Sequence, residues 1–202
     1  MSTAQTARLI ASAAKENPAA FRLYRKYADR IWNSAVFSGK EKEIIATSVT
    51  HATKCSYCTG YHTKKAQLAG AGQDELVEGA IAAAAAEAAA SYSREHGTAR
   101  LRELLDSDNI EDFSPADRER AEFFQFPFQD GILPKRLKIL IVLASSHVLN
   151  TADYISIAKE YALLENIPAH ETEAAIGIAS ALEAGSAVRH LADISEAWEG
   201  GK

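Results

Sequence analysis

The sequence predicts an all-α fold. Three observations carry that expectation: apolar residues recur at helical spacing along most of the chain, capping residues precede several of these runs, and no segment alternates β-branched with polar residues as a half-buried strand would. With 202 residues, 47% of them hydrophobic, the chain can bury a substantial core as one domain or as two small fused repeats.

The elements follow in order. Asn17 before Pro18 fits an N-cap and first helical position, and Phe21, Tyr24, Ala28, Ile31, Trp32 and Ala35 then share one face, with Trp32 read as core. Ser38 and Glu41 form the pattern of a capping box for a helix carrying Ile44, Ile45, Val49 and Ala52. A third helix is expected to begin near Cys55 and to stop at the turn residues Gly70 and Gly72, and a long alanine-rich helix follows from Gln73. Ser114-Pro115, Leu133-Pro134 and Ile167-Pro168 mark later starts. The stretch from about 97 to 130, with Phe123, Phe124, Phe126 and Phe128, reads as a connector.

An offset of 95 lays Lys64 on Lys159, Leu68 on Leu163, Glu78 on Glu173 and Ile81 on Ile176. The expected organisation is therefore an N-terminal unit with its connector, residues 1–130, and a degenerate second repeat, residues 131–202, packed as one unit. In that register Cys55 falls on Asn150, Cys58 on Asp153 and His62 on Ile157, so the second copy lacks the reactive set. Small residues at 82–90 and 177–187 leave flat helix faces, suited to packing within the chain or between subunits.

Charge and composition exclude several classes of function. The 22 basic and 27 acidic residues give a net charge of -5, and the basic ones are scattered, so no nucleic-acid partner is expected. The longest apolar tract, 80–90, is mostly alanine, contains Glu87 and falls short of the roughly 20 residues of a membrane span. Met1 to Gln5 lacks the basic and apolar regions of an export signal, and 2 cysteines are too few for a disulfide framework. A soluble cytoplasmic protein is expected.

Those two cysteines stand in Cys55-Ser56-Tyr57-Cys58-Thr59-Gly60-Tyr61-His62. The thiolate is the nucleophile, and a free thiol with pKa of about 8.5 is mostly protonated at neutral pH, so a redox cysteine needs help. On a helix Cys55, Cys58 and His62 project from one face. A helix beginning near Cys55 would favour negative charge on sulfur through its free N–H groups and macrodipole. Glu43 shares a face with Thr47 and His51, but one unbroken helix would hold it about 18 Å from Cys55. The chain is therefore expected to break at Ala52 to Lys54, with Thr53 as the cap. Two alternatives stand beside redox chemistry: a pair of small buried hydrophobes, and a zinc site drawn from His51, Cys55, Cys58 and His62, whose imidazoles would lie about 16 Å apart on a continuous helix. Lys54, Lys64 and Lys65 around the motif would lower thiol pKa, receive an acidic partner, or form a solvated face.

Glu43, Cys55-x-x-Cys58-x-x-x-His62, Ala66 and the turn Gly70-x-Gly72-x-x-Glu75, at these spacings, resemble the carboxymuconolactone decarboxylase family and, within it, the alkylhydroperoxidase D-like branch. Asn17-Pro18-x-x-Phe21 and Tyr24 fit the helix preceding the motif. The resemblance covers about residues 17 to 95, and about 133 to 195 is similar to the degenerate copy of two-repeat members. It implies an all-helical thiol peroxidase or disulfide reductase working without metal or cofactor. In such a protein Cys58 attacks a hydroperoxide, Cys55 resolves the sulfenic acid to a disulfide, and Glu43 and His62 relay protons. It also implies an external dithiol reductant, a lipoyl-bearing protein or another thiol carrier, and a homo-oligomer, trimer or dimer.

Peroxidase members often carry a second histidine between the cysteines, where this chain has Tyr57, a poor base at neutral pH. Tyr57, His51 and His147 are the candidate auxiliary groups. Two other functions remain open: a decarboxylase acting on a lactone, whose members generally lack the cysteine pair, and a non-catalytic redox sensor whose disulfide controls assembly.

Overall fold

Local capping chemistry sets the helix starts in the computed structural model, which describes residues 2–200; Met1 and the last two positions of the second unit lie outside that range. The order is α1 (Thr3–Glu16), α2 (Pro18–Trp32), α3 (Gly39–Thr53), α4 (Ser56–Leu68), α5 (Gln73–His96), α6 (Thr98–Asp106), α7 (Pro115–Gln125), a 3-10 turn (Phe126–Phe128), α8 (Lys135–Val148), α9 (Ala152–Leu164), α10 (Ala169–Arg189) and α11 (Leu191–Gly200). No strand occurs among the described residues. Asn17 Oδ1 accepts the Ala20 N–H at 3.1 Å ahead of α2. At α3 the Ser38 hydroxyl accepts the Glu41 N–H while the Glu41 carboxylate accepts the Ser38 N–H, a complete capping box. Ser114 caps α7 through the Asp117 N–H.

Helix α8 is the axis of the fold. Every residue from Leu137 to Ser146 is buried, and α3, α5, α9 and α10 surround it. One apolar cluster joins Ile44, Ile45 and Val49 to Leu133, Leu140 and Ile141. The other joins Leu101, Leu104 and Phe124 to Leu143, Tyr154 and Ile157. The stretch from 97 to 130 is thus more than a connector: α6 and α7 cover the second cluster, because Leu101, Leu104, Leu105, Ala121 and Phe124 need burial. Helix α1, which showed no motif in the sequence, packs against α11 at the far end of the chain.

The small residues of α5 face inward: Ala82, Ala85, Ala86 and Ala89 are fully buried, which lets α3 and α8 approach closely. Gly79 marks the tightest point, since a Cβ there would collide with the buried Ser48 hydroxyl and touch Ile141. Gly79→Ala is expected to cost about 1–3 kcal/mol through overpacking, read as a lower urea midpoint with an unchanged slope.

Backbone turns recur at an offset of 96, one more than the sequence self-comparison suggested. Lys54 and Asn150 both take left-handed conformations after α3 and α8, as do Gly70 and Asn166 after α4 and α9. In each pair the same backbone bond repeats: Lys54 N–H to His51 O and Asn150 N–H to His147 O. In this register Cys55 meets Thr151, Cys58 meets Tyr154, His62 meets Ala158 and Glu43 meets Ile139. The alanine runs of α5 and α10 align at either offset, with Ala80 on Ala175 at 95 and Ala83 on Ala179 at 96. The Asn17-Pro18 start of α2 also has a counterpart in the Ser114-Pro115 start of α7.

Candidate active site

The chain breaks between α3 and α4 where the sequence placed the break, but the cap differs. Thr53 is the last residue of α3, and its hydroxyl bonds the Thr50 carbonyl. Lys54 makes the left-handed turn, and Cys55 itself caps α4, its sulfur accepting the Cys58 N–H at 3.2 Å. The first sulfur therefore sits where helix N–H groups and dipole favour negative charge. Cys55 and Cys58 are joined in a disulfide, and both are buried.

The turn folds α3 back along α4. Glu43, which is 7% exposed, reaches His62 with Oε2 at 2.7 Å from Nδ1. Two turns further along α3, Thr50 meets Thr59. Between them the Thr47 hydroxyl is buried without a hydrogen-bond partner. Lys65 Nζ lies 3.4 Å from the other Glu43 oxygen. Burial pushes the Glu43 pKa up, but the hydrogen bond and charge of His62, then Lys65, outweigh it and hold the carboxyl below its ordinary value. An ionised carboxylate only accepts, so Nδ1 of His62 is the donor, and a neutral ring has Nε2 left as its basic atom.

The imidazole is clamped. Trp32 stacks on it with centroids 5.0 Å apart and planes at 29°, while Tyr61 meets it edge-on at 5.1 Å. Trp32 is thus a site residue, although its place in a helical apolar stripe reads as core. Trp198 of α11 is 75% exposed. Lys65 lies over the Tyr61 ring at 5.3 Å.

Cys58 and His62 open onto a cleft of 380 Å³; Cys55 does not line it. The walls come from Phe21, Tyr24 and Trp32 of α2, Tyr57 and Tyr61 of α4, and Leu182, Val188 and Arg189 of α10. Tyr57 is therefore at the cleft, with its phenol pKa raised by partial burial and by Tyr61, so it acts as a hydrogen-bond donor rather than a base. The other two auxiliary candidates lie elsewhere. His51 is exposed near the end of α3, its pKa lowered by partial burial and Lys54. His147 meets the Ser180 hydroxyl at 3.2 Å, on the α8–α10 contact. Among the described residues no group of three His, Cys, Asp or Glu side chains is placed to hold a metal ion. His51 is exposed and absent from the cleft that His62 lines, and the two sulfurs are bonded to each other, so the Cys2His2 set is not assembled.

The arrangement defines a class: a helical chain that sets a vicinal cysteine pair and a glutamate-oriented histidine at one cleft. Residues 18–95, spanning α2 to α5 and the whole motif, match the model of the carboxymuconolactone decarboxylase family. Comparison with curated proteins and with solved structures gives no match.

Proposed function

We propose that the chain is a thiol-dependent peroxidase, or disulfide oxidoreductase, cycling through the Cys55–Cys58 disulfide. The observation that carries this reading is the cleft: it exposes Cys58 and His62 on one wall while Glu43 holds the imidazole from behind. In the reduced state Nε2 of His62 takes the Cys58 proton, with Glu43 stabilising the imidazolium. The thiolate attacks the terminal peroxide oxygen, the O–O bond breaks, and the imidazolium returns the proton to the leaving alkoxide. Cys55 then displaces water from the Cys58 sulfenic acid. An external dithiol attacks the disulfide and restores both thiols. The balance is one hydroperoxide and one dithiol to one alcohol, one water and one disulfide.

This cycle needs a compartment that supplies reducing thiols, which suits the cytoplasm; no helix among the described residues is long and apolar enough to cross a membrane. The reductant in this reading is a lipoyl-bearing protein or another dithiol carrier. The series α7–α10 acts as a degenerate second unit that provides scaffold, with α10 walling the cleft. Val77 and Ile81, exposed along α5, suit a homo-oligomer, trimer or dimer.

The test is peroxide consumption with dithiothreitol and cumene hydroperoxide. A peroxidase turns over many times, whereas a sensor stops after one equivalent, and a lactone decarboxylase releases carbon dioxide from its substrate without using peroxide. Glu43→Gln is expected to lower kcat/KM about 100-fold, since it removes the charge that orients and supports His62. The ionised Glu43 contributes stability above its unfolded pKa of roughly 4.3, lost as pH falls through the lower folded value. An acid titration of Glu43→Gln should lack that component.

A further inference from the structure

The cleft is larger and more charged than a small peroxide requires. Its 380 Å³ far exceeds the roughly 60 Å³ that two water-sized groups occupy. Phe21, Tyr24, Trp32, Leu182 and Val188 give the cleft that Cys58 lines an apolar and aromatic wall. Three cations, Arg25, Lys65 and Arg189, line the same space against one carboxylate, Asp29.

These cations are placed but not saturated. Arg25 donates to Asp29 through Nη2 at 2.5 Å. Arg189 uses Nη1 for Asp193, at 2.7 and 3.0 Å, and for the neighbouring His190 ring. A guanidinium has five N–H donors, and among the described residues the remaining nitrogens of both side chains have no protein acceptor. Lys65 is 44% exposed and holds Glu43 only at 3.4 Å. Planar forks with free edges suit a carboxylate, which two or more N–H groups can grip together.

Helix α2 fixes the spacing. Trp32 lies on the His62 ring, and Arg25 is two turns earlier on the same face, about 10 Å along the axis. We propose that the cleft selects an amphiphilic hydroperoxide whose apolar chain lies against the apolar wall and whose carboxylate, on the order of 10 Å from the O–O bond, is held by Arg25 and Arg189. This rests on the peroxidase reading above and names its substrate class: a hydroperoxide of a medium or long-chain acid, reduced to the corresponding hydroxy acid by the two thiols.

The probes are linoleic acid 9-hydroperoxide and its methyl ester, with dithiothreitol as reductant. The acid is expected to show at least about a fivefold higher kcat/KM than the ester, an advantage that shrinks as salt is raised. Arg25→Met and Arg189→Met are each expected to bring the acid-to-ester ratio toward one, whereas Lys159→Met, an exposed cation on α9 outside the cleft, leaves the ratio as it was. A parallel titration needs no turnover: in the oxidised Trp198→Phe protein, decanoate should change Trp32 fluorescence at lower concentration than decanol, and Arg189→Met should erase the difference. Equal rates for acid and ester, or ratios insensitive to both arginines, overturn the substrate assignment while leaving a peroxidase. Arginine-dependent decanoate binding without turnover of any hydroperoxide overturns the peroxidase reading and leaves the carboxylate site.

Discussion

Under the proposed peroxidase cycle, Cys58→Ser is expected to abolish hydroperoxide turnover and leave no detectable single-equivalent reaction, while Cys55→Ser is expected to consume one equivalent per chain and stop. The two sulfurs are not equivalent. Cys58 lines the cleft beside His62 and Cys55 does not, so an incoming peroxide reaches Cys58. The helix start favours Cys55 as a thiolate, through the Cys58 N–H. That preference suits a leaving group better than an attacking one: a dithiol entering by the cleft attacks Cys58, and the expelled sulfur is the one the helix stabilises. Access and leaving-group stability thus both support the proposed order, with attack at Cys58 and resolution at Cys55. In Cys55→Ser the new hydroxyl is a good N-cap, so α4 stays in place and the unresolved Cys58 sulfenic acid accumulates. Peroxide consumed per chain, and the mass gain of one oxygen on the Cys58 peptide, measure the outcome. A Cys58→Ser protein that still consumes one equivalent would reverse the roles.

The part of this site that is local in sequence was legible there, and the part made by packing was not. Cys55, Cys58 and His62 share a face because helix period alone puts them there, and the break before Cys55 follows from the distance Glu43 would otherwise keep. The caps at Asn17, Ser38 and Ser114 are similarly short-range, since each oxygen bonds an N–H three residues away. Thr53 looked like the cap because threonine is a common one, yet a left-handed residue at 54 moved the helix start to the sulfur. The cleft walls gave no such signal. Trp32, Tyr24 and Arg25 belong to a face that reads as core or surface, and Arg189 lies far along the chain. Only the packing of α2 and α10 against α4 brings them to Cys58. The alanines of α5 and α10 pack well but carry little register information, so the self-comparison settled one residue away from the turns.

The largest expected stability effect lies away from the cleft, at a buried ion pair between α5 and α8. Lys138 is fully buried, and its ammonium meets Glu78 Oε1 at 2.8 Å. The other Glu78 oxygen accepts the Leu133 N–H at 3.1 Å, and the ammonium also sits 4.5 Å from the centre of the Phe126 ring. Gly131 has no side chain at this point because a Cβ would run into the Glu78 carboxylate. The pair thus fastens the segment entering α8 to α5. Lys138→Met should cost about 3–5 kcal/mol, because it leaves a carboxylate in the core with one N–H for a partner. That loss corresponds to a Tm lower by roughly 10 °C for a chain of this size. Glu78→Gln combined with Lys138→Met removes both charges and keeps an acceptor for the Leu133 N–H, so most of the stability should return. Thermal denaturation of the single and double variants measures the difference, and turnover well below Tm should stay near wild type in both, since neither residue lines the cleft. A double variant as unstable as Lys138→Met would mean that the cost comes from lost packing of the lysine stem rather than from an unpaired charge.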